Sequence, residues 1–98
     1  MELTIQSVNF DASEQLKAFA EKKVNKLLRF TDDIIQSEII MKVVRPEAPK
    51  NKEVSIKLNI KQVDSFASKK ADTFEEAIDL CVEALEKQIR RSKERKNG

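Results

Sequence analysis

The chain has no His, no Trp and no Tyr, one Cys, one Gly and two Pro among 98 residues. Each shortage removes a class of function. Without imidazole, nucleophile systems of the Ser-His-Asp or Cys-His kind cannot be built. With one thiol and no His, the usual structural zinc sets cannot be assembled within the chain. A single Cys forms no internal disulfide, which fits a reducing compartment. No apolar run approaches the roughly 20 residues that span a bilayer. Positions 1–10 contain no basic segment leading into an apolar one, so no signal peptide is expected. Carboxylate or Lys catalysis stays formally open. The expectation is a cytoplasmic protein that is not an enzyme, needs no cofactor, holds no metal and takes no small-molecule substrate.

What is present is apolar residue at 40% and charge at 37%, a folded rather than a disordered composition. The length suits one domain, 1–98, with a modest core. The net charge of +2 conceals a segregation. Positions 75–86 sum to −5 and positions 87–96 to +5.

Periodicity divides the chain into six elements. Residues 2–8 (ELTIQSV) alternate and predict a strand. Ser13 predicts an N-cap, and Leu16, Phe19, Ala20, Val24, Leu27 and Phe30 predict an amphipathic helix over 14–30. The β-branched run 38–45 (EIIMKVVR) predicts a buried strand. The polar, twice Pro-broken segment 46–52 predicts a mobile loop. Residues 53–61 carry the clearest pattern: Val54, Ile56, Leu58 and Ile60 face one way, Ser55, Lys57, Asn59 and Lys61 the other. A turn over 62–65 and a weaker strand over 66–71 follow. Thr73 predicts the cap of a last helix whose apolar stripe (Phe74, Ala77, Ile78, Cys81, Val82, Leu85, Ile89) ends near Arg90, leaving about 91–98 as a basic, frayed tail. The fold class is therefore α+β, in the order β-α-β-β-β-α. The first strand lies parallel to the second, the last three form a meander, and two helices pack on one face of a four-stranded mixed sheet.

Chemistry, where there is any, sits in the cations. On a helical wheel Lys22, Lys26 and Arg29 lie within about one-sixth of a turn. Lys23 lies nearer the apolar arc, its methylenes on the core and its ammonium beside Lys26. Lys87, Arg91 and Arg95 recur at i, i+4 and i+8 on the last helix, with Arg90 and Lys93 nearby. Two such rows about 8–10 Å apart suit a folded RNA backbone, read by shape and charge. The five Phe fall mostly on apolar arcs, which argues against base stacking. Simpler accounts stand beside these. A basic helix end is commonly just solvated and dipole-favoured. Cys81 belongs with the core, Glu75 and Glu76 suit a helix N-terminus, and Asp32-Asp33 suits a polar loop.

The whole chain, taken in order, resembles the short ribosome hibernation-promoting factors, also described as sigma-54 modulation or ribosome-associated inhibitor proteins. The resemblance runs through MELTIQSVNFDAS, LKAFAEKKVNKLLRF, IIMKVV and VSIKLNI. It is most specific in TFEEAIDLCVEALEKQIRRSKERK, with its AID segment, leucine, basic residue, Gln and Lys/Arg-rich end.

This resemblance implies binding to the small ribosomal subunit through 16S rRNA in the channel of messenger and transfer RNA, across the A and P sites. Idle ribosomes, including the 70S particle, would be held inactive in stationary phase or stress. The family's basic positions carry over to Lys23, Lys26 and Arg29 on the first helix and to Lys87, Arg91, Lys93 and Arg95 on the second. Lys22 and Arg90 join them from the wheel and the tail charge. Thr73-Phe74-Glu75 replaces the family's usual entry to the last helix and reads as a different cap and core plug. Ala84 stands where a Lys is common, removing one phosphate contact. With the chain ending at Gly98, silencing of single ribosomes is expected rather than unaided pairing of two, by a protein monomeric off the ribosome. Competing readings are a general double-stranded-RNA binder and a protein-interaction module with an incidental basic tail.

Overall fold

The alternating and helical patterns resolve, in a computed structural model, into β1 (Glu2–Val8), α1 (Glu14–Asn25), a 3₁₀ turn (Lys26–Arg29), β2 (Ile34–Val43), β3 (Lys52–Ile60), β4 (Ser65–Ala71) and α2 (Phe74–Asn97). The structure describes residues 2–45, 47–61 and 64–97, the side chains of 93–97 excepted. Pro46 and the Gln62-Val63 pair of the expected turn therefore lie outside the described residues. The sheet order is β1-β2-β3-β4. β1 runs parallel to β2, and β2, β3 and β4 pair antiparallel.

One face of the sheet is dry because alternate residues point to it. Ile39 and Met41 of β2, Val54, Ile56 and Leu58 of β3, and Ala67 and Ala71 of β4 are buried there against Ala20, Val24 and Leu27 from the first helical segment and Ala77, Ile78, Cys81, Leu85 and Ile89 from α2. The opposite face is polar, tied by Ser55 to Ser68 at 3.1 Å and by Asn59 to Gln36 at 3.1 Å. Both helices begin where expected. Ser13 Oγ accepts from Leu16 N at 3.1 Å, and Thr73 Oγ1 accepts from Glu76 N at 3.1 Å. Phe74 is the core plug, stacked on Phe10 with ring centroids 4.4 Å apart.

The bounds of β2 and α2 differ from the sequence reading by two residues or more. β2 starts at Ile34 rather than 38, because a register shift between Ile34 and Gln36 absorbs Ile35 as a bulge. The polar pair Gln36-Ser37 thereby stays in the strand. β2 also ends before Arg45, whose φ of 47° breaks the extended backbone. α2 continues beyond Arg90 to Asn97, because Lys, Arg, Glu and Gln are good helix formers and cations favour a helix C-terminus. The 46–52 loop is anchored at both flanks: Val44 N donates to Asn51 O at 2.8 Å, and Lys50 N to Asp72 Oδ1 at 2.9 Å.

The outer edge of β4 is covered by a side chain. Gln88 Nε2 donates to Phe66 O at 2.8 Å, while Phe66 N donates to Gln88 Oε1 at 3.3 Å. One amide thus occupies the outward-facing groups of Phe66 that would otherwise template another strand.

Cys81 is sealed in the core, its thiol donating to Val54 O at 3.2 Å. Burial pushes the thiol up to about 11, against the opposing pull of Lys69. An unfolded thiol ionises near 8.5. Between the two values the unfolded chain gives up a proton that the folded chain keeps, so this contribution is present at neutral pH and is lost as pH rises toward 11. Stability should fall by about 3 kcal/mol through that window. Denaturation of wild type and Cys81→Ala side by side checks this, since every other ionisable group is common to both proteins. Equal slopes for the two would refute it.

Candidate nucleic-acid interface

The cations of the first helix are brought together by how that helix ends. The expected α-helix to residue 30 tightens at Lys26 into a 3₁₀ turn, in which Phe30 N donates to Leu27 O at 3.0 Å. Three residues per turn stack positions i and i+3. Lys26 and Arg29 are thereby aligned, and Lys26 is turned toward Lys23. The Lys26 ammonium is held below its ordinary lysine range, first by the charge of Lys23 and by a hydrogen bond to it, and further by slight burial and the charges of Lys22 and Arg29. Four cations thus sense one another at the end of one helix.

Lys23 is the member built into the structure. Its ammonium sits 3.2 Å from Asp79 of α2 and 5.3 Å from the centroid of the Phe19 ring. That cross-helix pair, with Arg90 lying 5.1 Å over the Phe30 ring, fixes how the two helices run. They are side by side and point the same way, with both basic C-terminal segments at one end of the molecule. Among the described residues, Lys22, Lys26, Arg29 and Arg91 have no carboxylate within ion-pair distance, whereas Lys87 meets Glu83 at 3.9 Å and Arg90 meets Glu86 at 3.2 Å. Asp79 is half-exposed, so its bridge contributes under about 1 kcal/mol. Asp79→Asn should therefore leave stability nearly unchanged while freeing Lys23. Elution from heparin at higher salt is the expected result.

The cations expected on α2 do not all face α1. Glu86 borders the cleft beside Lys26, Arg29 and Phe30, and Arg90 reaches the same end of that cleft. Lys87 and Arg91 instead line a groove on the other flank of α2. On the helical wheel Arg91 stands about 100° round from Arg90. Asp79, Glu83 and Glu86 lie along the stretch of α2 between the two flanks, each paired with a cation: Asp79 with Lys23, Glu83 with Lys87 and Glu86 with Arg90. The side chains of Lys93 and Arg95 lie outside the described residues.

Two functional candidates escape the sequence reading. Lys69 of β4 enters the groove with Lys87 and Arg91. It belongs to the dry-face parity of β4, but its neighbours on that face are the small Ser65, Ala67 and Ala71, so the alternation that would have placed it carries little apolar signal. Phe66 is 57% exposed on the open face, unlike the other four Phe, which pack against the core. Among the described residues no three acidic or thiol side chains gather as metal ligands, and no helix is long and apolar enough to cross a membrane.

The sequence profile of the family described as Sigma 54 modulation protein / S30EA ribosomal protein matches residues 3–97. A search of curated proteins finds no match. Among solved structures, a ribosomal subunit interface protein from Coxiella burnetii superposes with a TM-score of 0.85 at 22% identity, over 95% of this chain and 98% of that one. The N-terminal domain of Protein Y from Thermus thermophilus gives 0.80 at 18% identity, over 93% of this chain and 98% of that one. At such identities the structural likeness speaks for the fold alone, and the fold is shared over nearly the full length of all three chains. Because the family profile covers both helices and all four strands, the chain belongs to the Sigma 54 modulation protein / S30EA ribosomal protein family.

Proposed function

We propose that this chain silences idle ribosomes by lying in the messenger- and transfer-RNA channel of the small subunit, held there by phosphates of 16S rRNA. Family membership makes it a ribosome-associated modulation factor. The similar chain from Coxiella burnetii is described as a ribosomal subunit interface protein, which agrees with a site between subunits. The observation that carries the reading is the cluster of Lys22, Lys23, Lys26 and Arg29. Three of its members lack a carboxylate partner among the described residues, and Lys26 is held below its ordinary range by the charge of Lys23 first and by Lys22 and Arg29 after it. A polyanion relieves such repulsion by binding, and ribosomal RNA is the polyanion this family meets. Arg90 extends the cluster from α2. Lys87 and Arg91 flank it, and Lys93 and Arg95 join the proposal from sequence alone.

No reaction is required. Occlusion acts by excluding messenger and transfer RNA, so the protein works as a reversible plug in the cytoplasm, as a monomer off the ribosome, with no cofactor. Sucrose-gradient sedimentation of lysate from growing and starved cells tests this. The protein should travel with the small-subunit and 70S peaks in starved cells, and messenger with transfer RNA should compete it off. A free RNA duplex that displaces it equally well would favour a general double-stranded-RNA binder. Absence from every ribosomal peak at low salt would leave a protein-interaction module.

A further inference from the structure

We infer that Phe66 is a stacking platform for one unpaired RNA base on the open face of the sheet, with Lys57 beside it for the adjoining phosphate. The inference rests on the reading of the chain as an RNA binder. It concerns the face turned away from both helices, side chains with no part in the cationic clusters, and single-stranded rather than folded RNA.

Phe66 is the odd member among the five rings. Phe10 and Phe74 stack on each other, Phe19 lies under the Lys23 ammonium and Phe30 under the Arg90 guanidinium. Phe66 alone has no ring partner among the described residues, and it is the one exposed. A single exposed apolar side chain is ordinary, but this one is held in place. Gln88 binds both main-chain polar groups of Phe66, at 2.8 and 3.3 Å. Those groups therefore point away from β3. Phe66 and its cross-strand partner Lys57 thus form the closer kind of antiparallel pair, about 4.5 Å between Cα atoms. Lys57 is exposed and has no carboxylate at ion-pair distance among the described residues, although Glu38 stands opposite it on β2. Polar neighbours on the same face are taken up by one another, Ser55 with Ser68 and Asn59 with Gln36. What remains is a free aromatic ring with a free ammonium beside it.

A nucleotide meets both. Every base offers a π-face to a ring, and the phosphate next to it carries one negative charge. A duplex does not serve, because its bases are already stacked and paired. An acidic peptide could also meet a ring and a cation, but an extended peptide draws its affinity from adding a strand to a sheet edge. At Phe66 that edge is closed by Gln88. A flat base lying on the face needs no edge. Both helices pack on the other face of the sheet, so the contact does not require the Lys22–Arg29 cluster, and the two can be tested apart.

The test titrates the full chain into a short single-stranded oligoadenylate carrying one 2-aminopurine, whose fluorescence falls when that base stacks. The chain has no Trp or Tyr to contribute to the signal. Quenching by wild type is expected. Phe66→Leu keeps an apolar side chain and removes the π-face, so it should lose most of the quenching and weaken binding roughly 5- to 150-fold, the span of losing one stacked base. Lys57→Gln should keep the quenching at saturating protein and lower the salt slope by about 0.7, the single-strand value for one phosphate. Neither change should move the unfolding midpoint by more than a few degrees, since both side chains are exposed. Quenching that survives Phe66→Leu would overturn the platform. So would quenching at saturating protein that disappears when Lys22, Lys26 and Arg29 are replaced by Gln. A Phe66→Leu variant that binds the oligonucleotide normally but small subunits poorly would also overturn it, and would assign this face to ribosomal protein. Phe66-dependent quenching by a chain that never sediments with ribosomes would instead sink the ribosomal reading and leave the platform standing.

Discussion

Replacing Lys22, Lys26 and Arg29 together by Gln should lower the slope of log association constant against log salt by roughly 2.7, if each cation meets one phosphate at about 0.9 per contact. This is the largest effect on binding that the structure supports. The three are chosen because none has a carboxylate partner among the described residues, so their charge is available to a ligand. Lys23 is left in place because it bridges to Asp79 at 3.2 Å and covers Phe19, and its loss would confound packing with binding. Near physiological salt the triple variant should bind small subunits about two orders of magnitude more weakly. Its unfolding midpoint should hold or rise slightly, because removing mutually repelling exposed charges does not weaken a fold. Filter binding to small subunits over a salt series, alongside thermal unfolding, separates the two effects. A slope that falls by less than one unit would mean that this cluster does not face RNA.

How far the sequence could lead depended on how strongly each residue's surroundings were written into its neighbours. β3 was legible because Val54, Ile56 and Leu58 alternate with polar residues and all three are buried. The caps at Ser13 and Thr73 were legible because a short hydroxyl ahead of an apolar stripe has few other uses. The start of β2 was not. A bulge at Ile35 and a polar Gln36-Ser37 pair break the alternation, and the partners that hold them in a strand, such as Asn59, lie far along the chain. The same holds for the cations. Lys22, Lys26 and Arg29 sit within one helix, so local geometry placed them together. Whether Lys87 and Arg91 would join them depended on how α2 is rotated about its axis, and that rotation is set by Ile78, Cys81, Leu85 and Ile89 packing on the sheet. A wheel drawn for one helix does not show which flank its neighbour covers. Lys69 was missed for the related reason that small residues on β4 conceal which of its faces is dry.

That rotation makes Leu85 the residue on which both cationic surfaces depend. Leu85 is fully buried at the centre of the α2 stripe, within the cluster that includes Leu27, Ile56 and Ile78. Leu85→Ala should cost about 3–4 kcal/mol, combining the lost transfer energy with the cavity left behind. A domain of this length has on the order of 5–15 kcal/mol in total, so the midpoint should fall by roughly 15–20 °C. Leu80→Ala, on the same helix but 37% exposed, should cost under about 0.5 kcal/mol. The pair distinguishes burial from helix propensity, since both changes put the same Ala into the same helix. The functional consequence is specific. Below its lowered midpoint the Leu85 variant keeps every cation, so its salt slope should match wild type, while its affinity drops by whatever fraction of molecules have α2 undocked. A normal affinity above that lowered midpoint, where most molecules have α2 undocked, would show that the cations act without the sheet to orient them, and that the rotation of α2 is not what arranges the surface.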